Sequence, residues 1–349
     1  MTKQTWTAIV AALLFMLCAT LVALTPVPYA VWSPGSTYDL LGDVGGKPLV
    51  GVTNASTHPT TGELRLTTVN VTAASATVNL VAALAAYWMP ANDALPSEVV
   101  YPTSVDPAVV EGQQAAQMDT SQTLAVVAGL SAAGLPVSQL PMVTAVTVSG
   151  PSADLLQPGD LFTFVDHTEV KTLDQVRDAI VNPPRRVGDK VTITFLRGGE
   201  TQQQTITTRA ASATEPGVPS IGVEMTMGYT YKPQISFGVD PAIGGSSGGL
   251  MFSLAVYDKL TDADIARGRI VAGTGTITAD GAVGPIGGVN EKIAAATRDG
   301  ATVFVLPRSN CADLSSTPSV RLLAVSTLKE AITALTAPDS APNPVFACS

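Results

Sequence analysis

The hydrophobic pattern of the chain begins with a long uncharged run. Residues 6–24 (WTAIVAALLFMLCATLVAL) carry no charged side chain over nineteen positions, about the length of a helix that crosses the hydrocarbon core of a bilayer. Lys3 precedes the run, and the first charged residues after it are Asp39 and Asp43. Positive charge on the short leading side favours a cytoplasmic N-terminus and an extracytoplasmic body. We therefore predict an N-terminal transmembrane anchor over residues 1–27, which places the protein in the cell membrane as a single-pass protein.

A cleaved signal peptide is the main alternative to a retained anchor. The apolar region of a signal peptide is usually shorter, and the residues that follow this run, Pro26, Pro28 and Tyr29, make a poor small-residue cleavage site. A lipid-modified Cys18 fits less well, because the bulky Leu17 precedes it. The pattern favours the anchor.

After the anchor, the spacing of apolar residues alternates between strand and helix. Residues 28–59 begin with a stretch rich in Pro and Gly, which predicts an extracytoplasmic stalk. A strand is predicted at Leu64–Val71, and helices at Ala76–Trp88 and Ser121–Leu130. Beyond residue 219, three strand signals alternate with three helical runs, which indicates an α/β fold. The strands are Gln234–Val239, Gly268–Ile277 and Thr302–Leu306, and the helices are Gly248–Lys259, Asn290–Arg298 and Leu328–Leu335.

The middle of the chain has a different pattern, with short strands around one helix. The strands are Val143–Val148, Leu161–Val165, Val191–Leu196 and Gln203–Thr207, and the helix is Leu173–Val181. The segment SGPSADLLQPGDL, followed by FTFVDHTEV, TLDQVRDAIV and KVTITFLRGGE, resembles a bacterial PDZ domain. The resemblance implies binding of an extended peptide, often a C-terminus, by strand addition, with Leu135–Val143 nearest to a carboxylate-binding loop. A scaffold that binds no peptide is the alternative.

Composition narrows the classes of partner and cofactor. The chain has 19 Lys and Arg against 28 Asp and Glu, a net charge of -9, and no basic cluster, so nucleic acid is not a predicted partner. With only two histidines, His58 and His167, we predict no metal site, and no cofactor. If the C-terminal part of the chain lies outside the cytoplasm, we predict a disulfide between Cys311 and Cys348. Two free thiols are the alternative.

Two segments carry candidate catalytic chemistry. In QISFGVDPAIGGSSGGLMFSLAVYDKL a predicted strand leads through a Gly- and Ser-rich turn into an apolar helix, and Ser247 lies at the start of that helix. Unpaired N–H groups there would stabilise an oxyanion. In GTGTITADGAVGPIGGVNEKIAAA, Lys292 lies in the first turn of a helix. A lysine acts as a base only when neutral, which requires burial among apolar groups such as Val289 and Ile293 to lower its pKa.

Together the two segments resemble the proteolytic domain of Lon-type Ser/Lys peptidases. The resemblance implies that Ser247 is the nucleophile, that Lys292 is the base, and that the hydroxyl of Thr274 orients the lysine amine. Gly245, Ser246 and Gly248 would support the nucleophile turn. A Gly- and Ser-rich helix cap and a solvated lysine are the alternatives for each segment taken alone.

Over nearly the whole chain, the anchor, the PDZ segment and PYAVWSPGSTYDLLG resemble the YlbL-like, membrane-bound branch of these peptidases, notably its actinobacterial members. Four positions depart from the family pattern. Ser246 stands where proline is usual, Gly248 where alanine is usual, Gly244 where ATP-driven members have an acidic residue, and Thr276 where they have glutamate. Ser246 is therefore a second candidate nucleophile, although the Ser-Gly-Gly alignment favours Ser247.

The predicted fold is an α/β (α+β) Lon-type proteolytic domain with an inserted, barrel-like PDZ module and one N-terminal transmembrane helix. Residues 60–134 would form the first part of the peptidase domain, residues 135–210 the PDZ domain, and residues 211–349 the proteolytic core and C-terminal tail. Insertion is expected because MDTSQTLAVVAGL resembles a helix that the family has before its nucleophile segment.

The predicted function is an ATP-independent serine endopeptidase that cleaves unfolded, membrane-proximal or secreted polypeptides in the cell envelope. ATP independence is expected because the sequence has no G-x-x-x-x-G-K-[ST] segment. A peptide-binding adaptor with a decayed dyad and an envelope scaffold are the alternatives. Lon-type domains often form rings, so a homo-oligomer is a hypothesis by analogy alone.

Overall fold

The computed structural model describes residues 2–73, 76–89, 91–101, 106–182, 185–212, 214–338 and 347–348. The chain forms two compact units, one made of Met1–Gly134 with Ile235–Ser349 and the other of Leu135–Gln234. The first unit is therefore built from two separate stretches of sequence.

The helices are numbered in chain order across both units. They are α1 (Lys3–Leu24), α2 (Leu80–Trp88), α3 (Ser97–Val100), α4 (Pro107–Ala132), α5 (Leu173–Val181), α6 (Gly249–Leu260), α7 (Val289–Arg298) and α8 (Leu328–Thr336), with a 3₁₀ helix at Arg308–Asp313.

The strands are numbered in the same way. They are β1 (Pro26–Val27), β2 (Tyr29–Asp39), β3 (Asp43–Val44), β4 (Lys47–Pro48), β5 (Val50–Thr53), β6 (Glu63–Val71), β7 (Val78–Asn79), β8 (Asp93–Pro96), β9 (Ser138–Val146), β10 (Leu161–Val165), β11 (Thr168–Glu169), β12 (Lys190–Arg197), β13 (Glu200–Thr207), β14 (Arg209–Ala210), β15 (Pro219–Ser220), β16 (Val223–Thr230), β17 (Gln234–Phe237), β18 (Ile270–Gly273), β19 (Thr276–Ile277), β20 (Val283–Gly284), β21 (Val303–Pro307) and β22 (Arg321–Val325).

The first unit is organised around a six-stranded sheet with the order β22-β21-β18-β6-β2-β8. The four strands from β22 to β6 run parallel, and β2 is antiparallel to both β6 and β8. Every residue of β21 (VFVLP) is buried, as expected for a parallel strand covered on both faces. Strands β6 and β18 each contact both α6 and α7. Helix α6, which begins two residues after Ser247, and helix α7, which carries Lys292, are thus held by the same central strands.

The prediction of a stalk over residues 28–59 is wrong. Tyr29–Asp39 is an eleven-residue strand of the central sheet, and it pairs with β6 on one side and β8 on the other. Pro34 and Gly35 are accommodated where the register with β6 shifts between Pro34 and Thr37. Pro and Gly in this stretch therefore mark an irregular strand within the body of the first unit.

The second unit has a sheet with the order β13-β12-β10-β9-β16 and, in its described part, one helix, α5. A capping box of Thr172 and Gln175 forms the N-terminus of α5. Its core includes Phe162, Ile193 and Phe195. The boundary predicted at residue 210 is too early, because β16 pairs with β9 along its length and so belongs to this unit. The stretch 211–234, which the sequence pattern assigns to the proteolytic core, is therefore part of the second unit.

Helix α1 is long and apolar enough to cross a membrane, and none of its side chains is buried. A signal sequence can have the same length and composition.

Cys311 and Cys348 form a disulfide between residues 37 positions apart in the sequence. This is one of the two alternatives that the sequence predicts for these cysteines.

Candidate active site

The turn that ends at Ser247 connects β17 to helix α6. Gly245 has a φ of 89°, a backbone conformation that favours glycine. Helix α6 begins at Gly249, two residues after Ser247. The carbonyl of Ser247 accepts hydrogen bonds from the N–H of Gly275 at 2.8 Å and from the hydroxyl of Thr274 at 3.0 Å. These contacts fix the backbone of Ser247 while its hydroxyl remains free to react.

Lys292 approaches this hydroxyl from helix α7. Its Nζ lies 2.8 Å from Oγ of Ser247 and 3.0 Å from Oγ1 of Thr274. Lys292 is only 4% exposed, and its helix neighbours Val289 and Ile293 are buried in the adjoining apolar cluster. Residues 45 positions apart in sequence are therefore brought within hydrogen-bonding distance in an apolar setting.

Thr274 joins the two candidate catalytic residues. It follows strand β18, is fully buried, and its N–H donates to the carbonyl of Val305 at 3.0 Å. Its hydroxyl donates to the Ser247 carbonyl and accepts from the Lys292 amine, so both hydrogen-bonding functions of this hydroxyl are used. Thr274 can thereby orient the amine toward Ser247.

Burial changes the acid–base chemistry of Lys292. Desolvation lowers the pKa of its amine from 10.5 to about 8, and the nearby negative charge of Glu291 partly opposes that decrease. A neutral amine is then accessible near neutral pH, and it can accept a proton. The site has the electrostatic property that a lysine base requires.

Glu291 is a feature that the sequence did not reveal. Adjacent helix residues point in different directions, which predicts a Glu291 side chain away from Lys292. The structure adds that this side chain is buried, at 1% exposed. Desolvation, with a smaller contribution from the neighbouring Asp93 carboxylate, raises the pKa of Glu291 to about 7. A partly protonated Glu291 raises the pKa of Lys292 less than a fully charged carboxylate would, so the neutral amine stays more accessible.

Backbone donors lie beside the Ser247 hydroxyl. Within the described part of the chain, the N–H groups of Ser247 and Gly248 donate no hydrogen bond to another residue. They lie at the N-terminus of α6, where the helix dipole is positive. These donors are suited to an oxyanion formed by attack of Ser247.

Ser246 has a different environment from Ser247. Its carbonyl accepts a hydrogen bond of 3.0 Å from the hydroxyl of Ser121 on α4. The Lys292 amine makes its side-chain hydrogen bonds to Ser247 and Thr274. The geometry therefore favours Ser247 over Ser246 as the residue that the amine can deprotonate.

Packing explains two of the four departures from the Lon pattern. A Cβ atom at Gly248 would lie 2.8 Å from the Phe252 ring and 2.9 Å from Leu66, so alanine would require these side chains to shift. A Cβ at Gly244 would lie 2.7 Å from Cβ of Gln114, so an acidic side chain does not fit without a shift of Gln114. These glycines are matched to their neighbours. The structure gives no such reason for Thr276.

A cavity of about 320 Å³ lies beside the nucleophile turn. Its lining combines the apolar Ala116, Leu124 and Ile277 with polar residues of α4 and with Ser246. A cavity of this kind next to a reactive hydroxyl can receive a side chain of a bound polypeptide.

A buried lysine amine against a serine hydroxyl, with free N–H groups at a helix start, is the arrangement that a Ser/Lys hydrolase would need. Residues 234–335 match the Lon protease C-terminal proteolytic domain, and residues 125–208 match the PDZ domain. The chain thus carries a Lon-type proteolytic domain of the serine peptidase class together with a PDZ domain.

Similar proteins include Lon proteases from several bacteria. The chain is 37% identical over 91 residues to Lon protease of Chloroflexus aggregans, which covers 25% of this chain and 11% of that protein. It is 34% identical over 127 residues to Lon protease 1 of Sorangium cellulosum, which covers 35% and 15%. The chain thus spans only about a tenth to a seventh of the length of these relatives.

Among solved structures, the chain is similar to the PDZ domain of an SdrC-like protein from Listeria monocytogenes. The identity is 31%, with 25% of this chain and 86% of that chain covered and a TM-score of 0.23. The corresponding domain from Listeria innocua has 29% identity, 25% and 92% coverage, and a TM-score of 0.23.

The Thr274 hydroxyl gives a first testable prediction. Thr274→Val keeps the shape of the buried side chain but removes both hydrogen bonds, so kcat on a peptide substrate should fall by roughly 10–100-fold with a smaller change in KM. Thr274→Ser should recover most of kcat, because it restores the hydroxyl. Steady-state kinetics over a range of pH would measure both. An unchanged kcat in Thr274→Val would show that the hydroxyl does not position the amine.

Proposed function

We propose that the protein is a membrane-anchored, ATP-independent serine endopeptidase with a Ser247–Lys292 dyad. The observation that carries the proposal is the 2.8 Å approach of a buried Lys292 Nζ to the Ser247 hydroxyl. The match to the Lon proteolytic domain supports a polypeptide as the substrate.

In the proposed mechanism, the neutral Lys292 amine takes the proton of Ser247 as Oγ attacks the scissile carbonyl. The N–H groups of Ser247 and Gly248 stabilise the oxyanion. The Lys292 ammonium then gives its proton to the leaving amine, and the C–N bond breaks to leave an acyl-enzyme on Ser247. Lys292 next takes a proton from a water molecule as the water oxygen attacks the ester. The resulting ammonium gives this proton to Oγ as the ester C–O bond breaks, which releases the second product and restores the Ser247 hydroxyl.

Polypeptide recognition would involve the second unit. In this unit, β9 overlaps the sequence-predicted loop candidate Leu135–Val143. The strand pairs with β16 along its length and with β10 at Met142, so it has a neighbouring strand on each side. Strand β16 pairs only with β9 among the described strands, and it contacts helix α5. We propose that a peptide adds as a strand to β16 beside α5.

Insertion of the PDZ domain remains a proposal with a direct test. Residues Ser138 and Thr230 are paired neighbours, so the two ends of the second unit lie side by side. In the first unit, α4 packs on α6 and β6 pairs with β18. Limited proteolysis at the unit boundaries should therefore leave fragments 1–134 and 235–349 associated in gel filtration. Elution of a folded 235–349 fragment alone would contradict insertion.

The proposed activity can be tested with the full chain in detergent. It should cleave an unfolded casein-like polypeptide at internal bonds, and the rate should be the same with and without ATP. A chain with both Ser247→Ala and Lys292→Ala should leave the polypeptide intact. Cleavage by this double variant, or a requirement for ATP, would contradict the proposal.

A further inference from the structure

Helix α2 (LVAALAAYW) buries small side chains and exposes large apolar ones, which is the reverse of a typical surface helix. Its buried residues are Ala83 and Ala86. The larger apolar side chains point outward, with Val81 53% exposed, Tyr87 74% and Trp88 73%. A helix on a soluble body normally turns its large apolar side chains toward the core. The outward surface of α2 therefore needs an apolar neighbour.

We call this surface the apolar face of α2 and define it as the exposed Val81, Leu84, Tyr87 and Trp88 with the following Met89. The helix contains no charged residue. The only polar side-chain atoms on the face are the Tyr87 hydroxyl and the Trp88 indole N–H. An apolar surface with two amphipathic aromatic residues has the composition preferred at the boundary between lipid headgroups and acyl chains.

Helix α2 begins beside the end of α1. Helix α1 ends at Leu24, and the next residues pair with the segment before α2, Pro26 with Asn79 and Val27 with Val78. The N–H of Leu80, the first residue of α2, donates to the carbonyl of Thr25 at 3.1 Å. Helices α1 and α2 also contact each other. The start of α2 is thus fixed at the end of the candidate membrane span.

We propose that α2 is a second membrane element, which lies in the bilayer interface where α1 ends and inserts its apolar face between the lipids. This inference rests on the proposed membrane anchor. A helix that leaves the span at the bilayer surface brings its apolar face to lipid without further rearrangement. Because α2 has no charge, insertion would depend on apolar contact and would not require anionic lipids.

Insertion would also fix the orientation of the catalytic body on the membrane. Helix α2 contacts β2 and β8 of the central sheet. Strand β2 in turn contacts α7, the helix that carries Lys292. With α1 and α2 both held by the bilayer, the body has two points of attachment, and the active site is kept at a constant height above the lipid.

The test uses the full chain with its Cys311–Cys348 disulfide, reconstituted in vesicles and labelled with a nitroxide at one cysteine. The label is placed at Leu84→Cys or Trp88→Cys in a Cys18→Ala background, and the matched control is Lys329→Cys on the exposed surface of α8. Collision rates with oxygen, which concentrates in lipid, are compared with those of a water-soluble nickel complex. The native Cys18, labelled in the unaltered chain, reports the anchor itself.

The ratio of oxygen to nickel collisions at positions 84 and 88 should exceed that at position 329 by about tenfold, as expected for interfacial burial. It should be the same in phosphatidylcholine vesicles and in vesicles with added anionic lipid. Equal ratios at the three positions would overturn the inference, and so would labels at 84 and 88 shielded from both reagents, which would indicate protein as the neighbour. A lipid-exposed Cys18 with water-exposed positions 84 and 88 would overturn this inference alone. A water-exposed Cys18 would contradict the anchor as well.

Discussion

Replacement of Ser247 by alanine is expected to lower the rate of polypeptide cleavage by about 10³-fold or more, because the chain then lacks the oxygen that forms the acyl-enzyme. Ser247 is half-buried, and its side-chain contact is with the Lys292 amine, so the loss of one oxygen should leave the fold intact. Cleavage of an unfolded polypeptide followed by gel, with thermal unfolding of each variant, would measure both effects.

Ser246→Ala is the matched control for this prediction. It removes a neighbouring hydroxyl from the same turn, while the backbone carbonyl that accepts from Ser121 remains. We expect this variant to keep most of the activity. Full activity in Ser247→Ala together with its loss in Ser246→Ala would move the nucleophile by one residue and contradict the assignment.

Replacement of Lys292 by methionine is expected to abolish cleavage to a similar extent, because no other base contacts the Ser247 hydroxyl among the described residues. Lys292→Arg should be inactive too, since a guanidinium stays protonated and cannot accept a proton. The effects of Ser247→Ala and Lys292→Met should not add in the double variant, as expected for two residues that act in one step. Independent, additive losses would argue against a dyad.

The same substitution has an expected effect on stability. The pKa of the buried amine is about 8 in the folded protein, against 10.5 for an ordinary lysine, so the unfolded chain binds more protons between these values. Burial of Lys292 therefore costs about 3 kcal/mol below pH 8, and this cost disappears as the pH rises toward 10.5. Lys292→Met should be inactive and at least as stable as the parent at pH 7, because removal of this cost offsets the lost hydrogen bonds. Chemical denaturation at pH 7 and pH 10 would check the sign.

The sequence predicted the helices around the candidate site better than the pairing of strands that are far apart in the chain. Helix Leu173–Val181 agrees to the residue, and the helices after Ser247 and around Lys292 agree within one residue at each end. The predicted strand Gly268–Ile277 is instead divided into β18 and β19. Local signals were sufficient for the helices, since apolar periodicity and Gly-rich turns mark the ends of these elements. The approach of Nζ to Oγ could be expected from the Lon resemblance, but not from spacing alone.

The remaining features depend on long-range contacts, which have no local signal. Strand β2 contains Pro34 and Gly35 and looked like a stalk, because its pairing with β6 and β8 is made at a distance in sequence. Strand β16 was assigned to the wrong domain for the same reason, since its partner β9 lies far upstream. The burial of Glu291 likewise follows from how α7 packs on the sheet, which helix spacing alone does not predict.

The central claim is that Lys292 is a neutral base near neutral pH, and its protonation can be followed directly. Lysine isotopically labelled at Nζ would be titrated in the folded chain by NMR, and the Lys292 signal assigned by its loss in Lys292→Met. The account predicts a midpoint near pH 8, matched by a rise in cleavage rate over the same range as the amine loses its proton. A Lys292 midpoint near 10.4, the value of a solvated lysine, would contradict it.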